Sequence, residues 1–248
     1  MFLKNTFQNF LKTRGFHSQP ALFFKPRSFF ITFRKPILSS KPNPTPKRFF
    51  SSFLDKRLKK LRLYYYLIGA NVVIFLAWNT GFISKKFLFD NFTLSKYTMA
   101  KHHYHTLITH AFSHINTFHL GLNMITLYFF GKFIELHFGS RVLFQLYMLG
   151  ALVGGLFITS QNNRKKHVVS HLGASGATTA ILSFFIMNFP NYTIFLYFLP
   201  VPAWVVGGLI LFQSLYFYES ESGVSYSGHL GGFVAGMGMY FHMRGKMF

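Results

Sequence analysis

The sequence predicts an all-α membrane protein, a bundle of six transmembrane helices over residues 55–248 behind a disordered N-terminal presequence over residues 1–54. Three observations predict this. Half of the 248 residues are hydrophobic and a fifth aromatic, while only 12% are charged. An average soluble protein carries about 25% charged residues, so the polar surface that would keep this chain in water is missing. Apolar stretches close to the ~20 residues needed to cross a bilayer recur along the chain. Finally, ten Lys and Arg residues, from Lys4 to Arg48, precede the first carboxylate, Asp55.

The N-terminal cations are interleaved with Phe, Ser and Thr. Phe2, Leu3, Phe7, Phe10 and Leu11 are spaced by Lys, Asn and Gln in an amphipathic pattern, not as the continuous apolar run of a secretory signal. This is the composition of a mitochondrial import sequence. A solvated basic tail and an RNA-binding arm are the rival readings of the same charge. The formal charge of +21 is thus expected to leave in large part with the presequence, and no nucleic-acid partner is implied. Lys41 to Pro46 (KPNPTP) is a proline-punctuated linker that cannot form a helix interior. The chain has no cysteine, which excludes disulfides, thiolate zinc sites, iron–sulfur clusters and cysteine nucleophiles.

The expected spans run from about Leu63 to Phe82, Phe118 to Leu136, Val142 to Thr159, Ala174 to Phe189, Val201 to Tyr218 and Gly228 to Met243. The fourth and sixth are short and rich in Gly, Ser and His. Because unpartnered polar groups are costly in hydrocarbon, they should sit inside the bundle. The connector from Ile83 to Thr117 carries Phe87, Leu88, Phe89, Phe92 and Leu94, and is expected to be a structured loop lying in the membrane interface. Lys56, Arg57, Lys59, Lys60 and Arg62 before the first span, with Arg244 and Lys246 after the last, place the N-terminus in the matrix by the positive-inside rule. Lys85, Lys86, Lys96, Lys101, Arg164, Lys165 and Lys166 run against it.

Polar residues within spans are where chemistry is expected. Ser175 opens the fourth span in Gly173-Ala-Ser175-Gly176, where unpaired backbone N–H groups and the helix dipole favour a developing negative charge. His229 opens the sixth, and Gly232 and Gly236 behind it form a GxxxG face that permits close backbone approach. His119 and Asn123 lie one turn apart on one face of the second span. A nucleophile, a base and two side-chain donors are the parts of an acyl-transfer site. No Asp lies within these spans to orient the histidine, so the expected catalytic unit is a Ser175/His229 dyad, with His119 and Asn123 at the oxyanion and Gly173, Gly176, Gly232 and Gly236 as packing positions.

These motifs resemble the rhomboid protease family: His119-Leu-Gly-Leu-Asn123-Met, Gly173-Ala-Ser175-Gly, Gly228-His229-Leu-Gly-Gly232 with Gly236, and Glu135 four residues before Gly139. The resemblance covers the chain from about Leu63 onward and is closest to organellar members. It implies a six-helix rhomboid-like bundle whose Ser/His dyad cuts single-span membrane proteins without a cofactor or metal, here as a multi-pass protein of the mitochondrial inner membrane in contact with lipid. Two positions depart from the pattern. His105-Thr106 or Tyr104-His105 stands where rhomboids often carry Trp-Arg, and Thr179 stands where many carry an aromatic residue against the catalytic histidine.

Two other readings compete. One is an inactive rhomboid-like scaffold or subunit of an inner-membrane complex, in which Ser175 and His229 only pack helices. The other is a histidine-box membrane metalloenzyme, suggested by His102, His103, His105, His110 and His114 and by the HxxxH spacing of His110 and His114. The paired histidines that further boxes would need are absent near the other helix ends.

Overall fold

The computed structural model describes residues 62–164, 169–196, 198–218 and 225–245. The expected presequence, residues 1–54, lies outside them. The helices are α1 (Leu63–Thr80), then α2 (Lys85–Phe92), α3 (Lys96–Ala100) and α4 (Thr106–Thr109) in the first loop. They are followed by α5 (Thr117–Thr126), α6 (Lys132–Phe138), α7 (Ser140–Arg164), α8 (Ser175–Asn188), α9 (Ala203–Tyr216) and α10 (Tyr226–Arg244). Helix thus covers each of the six apolar segments. Among the described residues, α1 and α7 are long and apolar enough to cross a membrane by themselves.

Local chemistry explains the boundaries. α1 stops where Gly81 takes the left-handed conformation, φ 75°. Its first turn is capped from a distance: Glu135, 3% exposed, accepts the N–H groups of Leu63 at 2.9 Å and Tyr64 at 3.1 Å, together with the Ser140 hydroxyl at 2.6 Å. A carboxylate at a helix N-terminus matches the dipole, so this buried acid ties α1 to the α6–α7 turn. α5 runs into α6 through a π-turn, Leu127–Gly131, without leaving the helical path. A Cβ at Gly131 would press on the end of the Leu127 side chain, which can turn aside.

α7, α8 and α10 form the centre. α7 meets its neighbours through Gly150, Ala151, Gly154 and Gly155. A Cβ at Gly150 would overlap Ala180 of α8, and one at Gly155 would overlap the Leu107 carbonyl of the first loop. Small residues allow this approach where lipid offers no hydrophobic drive between helices. α8 is buried on nearly every side, as expected of the fourth segment. The bundle is ringed by exposed Val73, Leu76, Phe129, Trp204, Phe212 and Tyr216, an apolar surface suited to lipid and not to water.

Two expectations are corrected. The chain is not wholly α: β1 (Thr193–Leu196) and β2 (Leu199–Pro202) pair antiparallel, Thr193 opposite Pro202 and Leu196 opposite Leu199. Pro200 and Pro202 explain this, since neither can enter a helix interior while an edge strand tolerates both. In consequence α9 begins only at Ala203 and the fifth segment is one of the short ones, 14 residues like α8, whereas the sixth reaches 19. The first orphan donors of α9, Ala203 and Trp204, are satisfied by the carbonyls of Tyr192 and Pro190.

Candidate functional site

The first loop is ordered by polar contacts. Ser84 caps α2, and Ser95 and Thr98 form a capping box on α3. Trp78 donates its indole N–H to Ser113 at 2.6 Å, and Tyr147 of α7 donates to the Ala111 carbonyl at 2.9 Å. At the position that departs from the Trp-Arg pattern, His105 Nε2 meets Asn91 Oδ1 at 3.1 Å, the Thr106 hydroxyl donates to His103 O at 2.7 Å, and Thr109 donates to Asn91 O. Short polar side chains thus anchor the loop that Trp-Arg anchors in the family pattern.

This loop holds the segment that leads into α8. Leu94 and His171 exchange backbone hydrogen bonds, both 2.8 Å; Gly173 N donates to His110 O at 2.9 Å; and Ala174 N donates to His114 Nε2 at 3.2 Å. The three contacts fix the chain just before Ser175. Gly173 adopts φ 132° with the His119 ring where a Cβ would stand, so only glycine fits. His114 accepts through Nε2, so its proton sits on Nδ1, which has no partner among the described residues. Burial pushes His114 down to about 3 and His110 down to about 4, so both loop histidines are neutral. His110 Nδ1 donates to Thr106 O at 2.8 Å. Among the described residues no group of three or more His, Asp or Glu is arranged to hold a metal ion.

Ser175 is the first residue of α8 and half-buried. Beside it, Gly176 packs against the backbone of α10, where a Cβ at Gly232 would overlap the Gly176 carbonyl and one at Gly236 would overlap Ala180 O and Ser183 Oγ. The glycine face therefore sets α10 directly against α8, and His229 lies between the contacting Gly228 and Gly232. A crevice of about 10 Å³, the size of one water, is lined by Ser175, Gly173, His110, Ser225 and Gly228. Ser225 Oγ is buried there and unpartnered among the described residues.

His119 faces the same region from α5, its ring against Gly173 and 5.1 Å from the His114 ring. Asn123, 6% exposed, donates to His119 O at 2.8 Å and accepts from the Thr178 hydroxyl of α8 at 2.9 Å. Among the described residues, neither the Ser175 hydroxyl nor the His229 ring has a hydrogen-bond partner. Catalytic contacts of this kind often close only on substrate.

Sequence reasoning missed the contacts of three residues. His114 holds the Ala174 N–H. Thr178 occupies Asn123. Tyr226, one turn before His229, packs edge-on against it at 6.0 Å and 79°, supplying the aromatic partner that Thr179 does not. The i, i+3 spacing of Tyr226 and His229 is the signal that was available.

A helical bundle with an apolar outer surface and polar side chains buried inside it, Asn123 hydrogen-bonded to Thr178 among them, defines the class, a helical membrane protein with a partly polar interior. A family model for the rhomboid domain matches residues 101–246, and the chain belongs to the rhomboid family. RHOMBOID-like protein 12, mitochondrial, of Arabidopsis thaliana is 38% identical over 182 residues, 67% of this chain and 54% of its own length. Rhomboid protein 1, mitochondrial, of Saccharomyces cerevisiae is 34% identical over 187 residues, 71% of this chain and 51% of its own. Rhomboid-like protein 16, chloroplastic, of Arabidopsis thaliana is 33% identical over 142 residues, 51% of this chain and 44% of its own. The chain spans about half the length of these relatives.

Proposed function

We propose that this chain is an intramembrane serine endopeptidase of the mitochondrial inner membrane. Its six helical segments cross the bilayer with the N-terminus in the matrix, and residues 1–54 direct import. Ser175 is the nucleophile and His229 its general base. His119 and one free N–H of Asn123 receive the oxyanion, and the substrates are single-span membrane proteins. The observation that supports this most strongly is the glycine contact of Gly176 with Gly228 and Gly232, which sets the helix that begins with Ser175 against the helix that carries His229. The mitochondrial relatives support the location.

The chemistry follows from the placement. His229 takes the Ser175 proton as Oγ attacks a carbonyl, then returns it to the leaving amine. The open backbone N–H groups at the start of α8 and the donors on α5 face the negative charge that develops. A transmembrane substrate hides its carbonyls in its own helix, so it must unwind locally before attack. Helix-weakening residues near the membrane surface should therefore favour cleavage. The test is to incubate purified wild type, Ser175→Ala and His229→Ala with a panel of single-span substrates. Cleavage by wild type alone is expected, and product from either variant at the wild-type rate would remove the dyad. That the Ser175 hydroxyl has no partner among the described residues favours a second reading, an inactive scaffold, which predicts no cleavage by any of the three.

A further inference from the structure

A groove of about 460 Å³ that shares no lining residue with the Ser175 crevice runs between α7 and α10. Its walls are Leu149 and Val153 of α7 with Val234, Ala235 and Met239 of α10, and its polar end is formed by Gln145 and His242. Gly238 opens it, because a Cβ there would meet nothing within 4 Å. This volume suits one ligand.

Its length and charge identify the occupant. At 1.5 Å per residue, the groove and its mouth reach about 18 Å along α7 from Arg141 to Val153, and about 12 Å along α10 from His242 to Val234. One leaflet of hydrocarbon is about 15 Å deep, so the groove matches an acyl chain standing in the leaflet next to the α7 N-terminus. Arg141 lies one turn before Gln145 on the same face, is exposed, and has no partner among the described residues. Arg62 and Arg244 lie at the same end. The carboxylates among the described residues are Asp90, which pairs with Lys86 in the first loop, and Glu135, which is occupied by Leu63, Tyr64 and Ser140. Glu135 is the one described carboxylate at this end, and the three arginines outnumber it. Basic pockets between transmembrane helices are suited to anionic headgroups.

We propose that the α7–α10 groove is a binding site for one anionic phospholipid, its acyl chain along Leu149, Val153 and Met239 and its phosphate at Arg141, Gln145 and His242. The test is native mass spectrometry of the full chain released from micelles, titrated with dioleoyl phosphatidylglycerol, with dioleoyl phosphatidylcholine, and with glycerol 3-phosphate. One phosphatidylglycerol is expected to be retained about tenfold or more in preference to phosphatidylcholine, each cation near the surface contributing about fivefold. Arg141→Gln should lower that affinity about fivefold. Gly238→Leu, which fills the groove, should abolish retention with both Arg141 and His242 in place. Equal retention of the two lipids, full displacement by glycerol 3-phosphate, or undiminished binding by Gly238→Leu would overturn the proposal. If Gly238→Leu lowers the unfolding midpoint, the exposed Arg141→Gln variant decides alone, and unchanged affinity there counts against the site.

Discussion

At the end of the bundle where α6 turns into α7, side chains fill the space between helices. Phe130, Phe133, Phe138, Phe184, Phe185, Phe189 and Tyr192 meet mostly edge to face, with Phe133–Phe185 at 5.1 Å and 85° and Phe138–Phe184 at 5.1 Å and 77°. At the opposite end, where α8 and α10 begin, backbone lies directly on backbone, Gly176 on Gly228 and Gly232. The aromatic end can relax around a lost ring. The glycine end cannot accept an added methyl, and it is the end that carries Ser175, His229, His119 and Asn123. The difference teaches that the candidate site is positioned by what is absent from its side chains, so its tolerance to substitution should be the inverse of the core's.

The largest effect should therefore come from adding atoms. Gly232→Val drives a side chain into the Gly176 carbonyl, and about 3 kcal/mol or more of stability should be lost because backbone cannot move aside as a rotamer can. The unfolding midpoint in mild detergent checks this, and a wild-type midpoint would show that α8 and α10 are not in contact there. Phe185→Ala, at the aromatic end, should cost about 3 kcal/mol, yet leave cleavage by the surviving folded fraction within about twofold. If cleavage per folded molecule falls as steeply as stability, the two ends are coupled and the contrast between them fails.

The helices were legible in the sequence because hydropathy and length report them directly. Ser175, His229, His119 and Asn123 could be singled out because each is a polar residue in or beside a glycine-bearing stretch on its own segment, and their joint role belongs to the proposed function. What stayed hidden depends on partners distant along the chain. Nothing near Glu135 in sequence says that it caps α1, 71 residues away from Tyr64. The role of His114 rests on Ala174, 60 residues on, and Asn123, expected as a donor to substrate, already donates one N–H to His119 O while its oxygen accepts from Thr178. The hairpin was missed for a different reason: Thr193 to Pro200 falls in the connection between the fourth and fifth expected spans, where hydropathy reports no element, and only Val201 and Pro202 were counted as helix.

Smaller effects sharpen the same comparison. Glu135→Gln keeps the shape but removes the charge that accepts two backbone N–H groups, and should cost about 2 kcal/mol without changing cleavage. Stability measured against urea, side by side with turnover, separates this from a role in the chemistry. The pH dependence should be smaller again. His110 and His114 lie in the loop with pKa values pushed down by burial to about 4 and about 3, below the ordinary value near 6.5. Below about pH 6.5 the unfolded chain takes up protons that the folded chain refuses, so stability is full above that pH and declines as pH falls toward about 4. His114→Asn should make the decline shallower in a thermal scan, while a wild-type midpoint that does not move between pH 7 and pH 4 would contradict the neutral, buried assignment.

The most direct test of the central claim is covalent labelling by a small fluorophosphonate followed by peptide mass analysis of the full chain in detergent. The account predicts a single adduct on Ser175 in the wild type, none in His229→Ala, and retained but slower labelling in Asn123→Ala, because one oxyanion donor is worth about a hundredfold or more in rate. An unlabelled Ser175 in folded protein that cleaves a single-span substrate, or an adduct that forms as fast without His229, would contradict it.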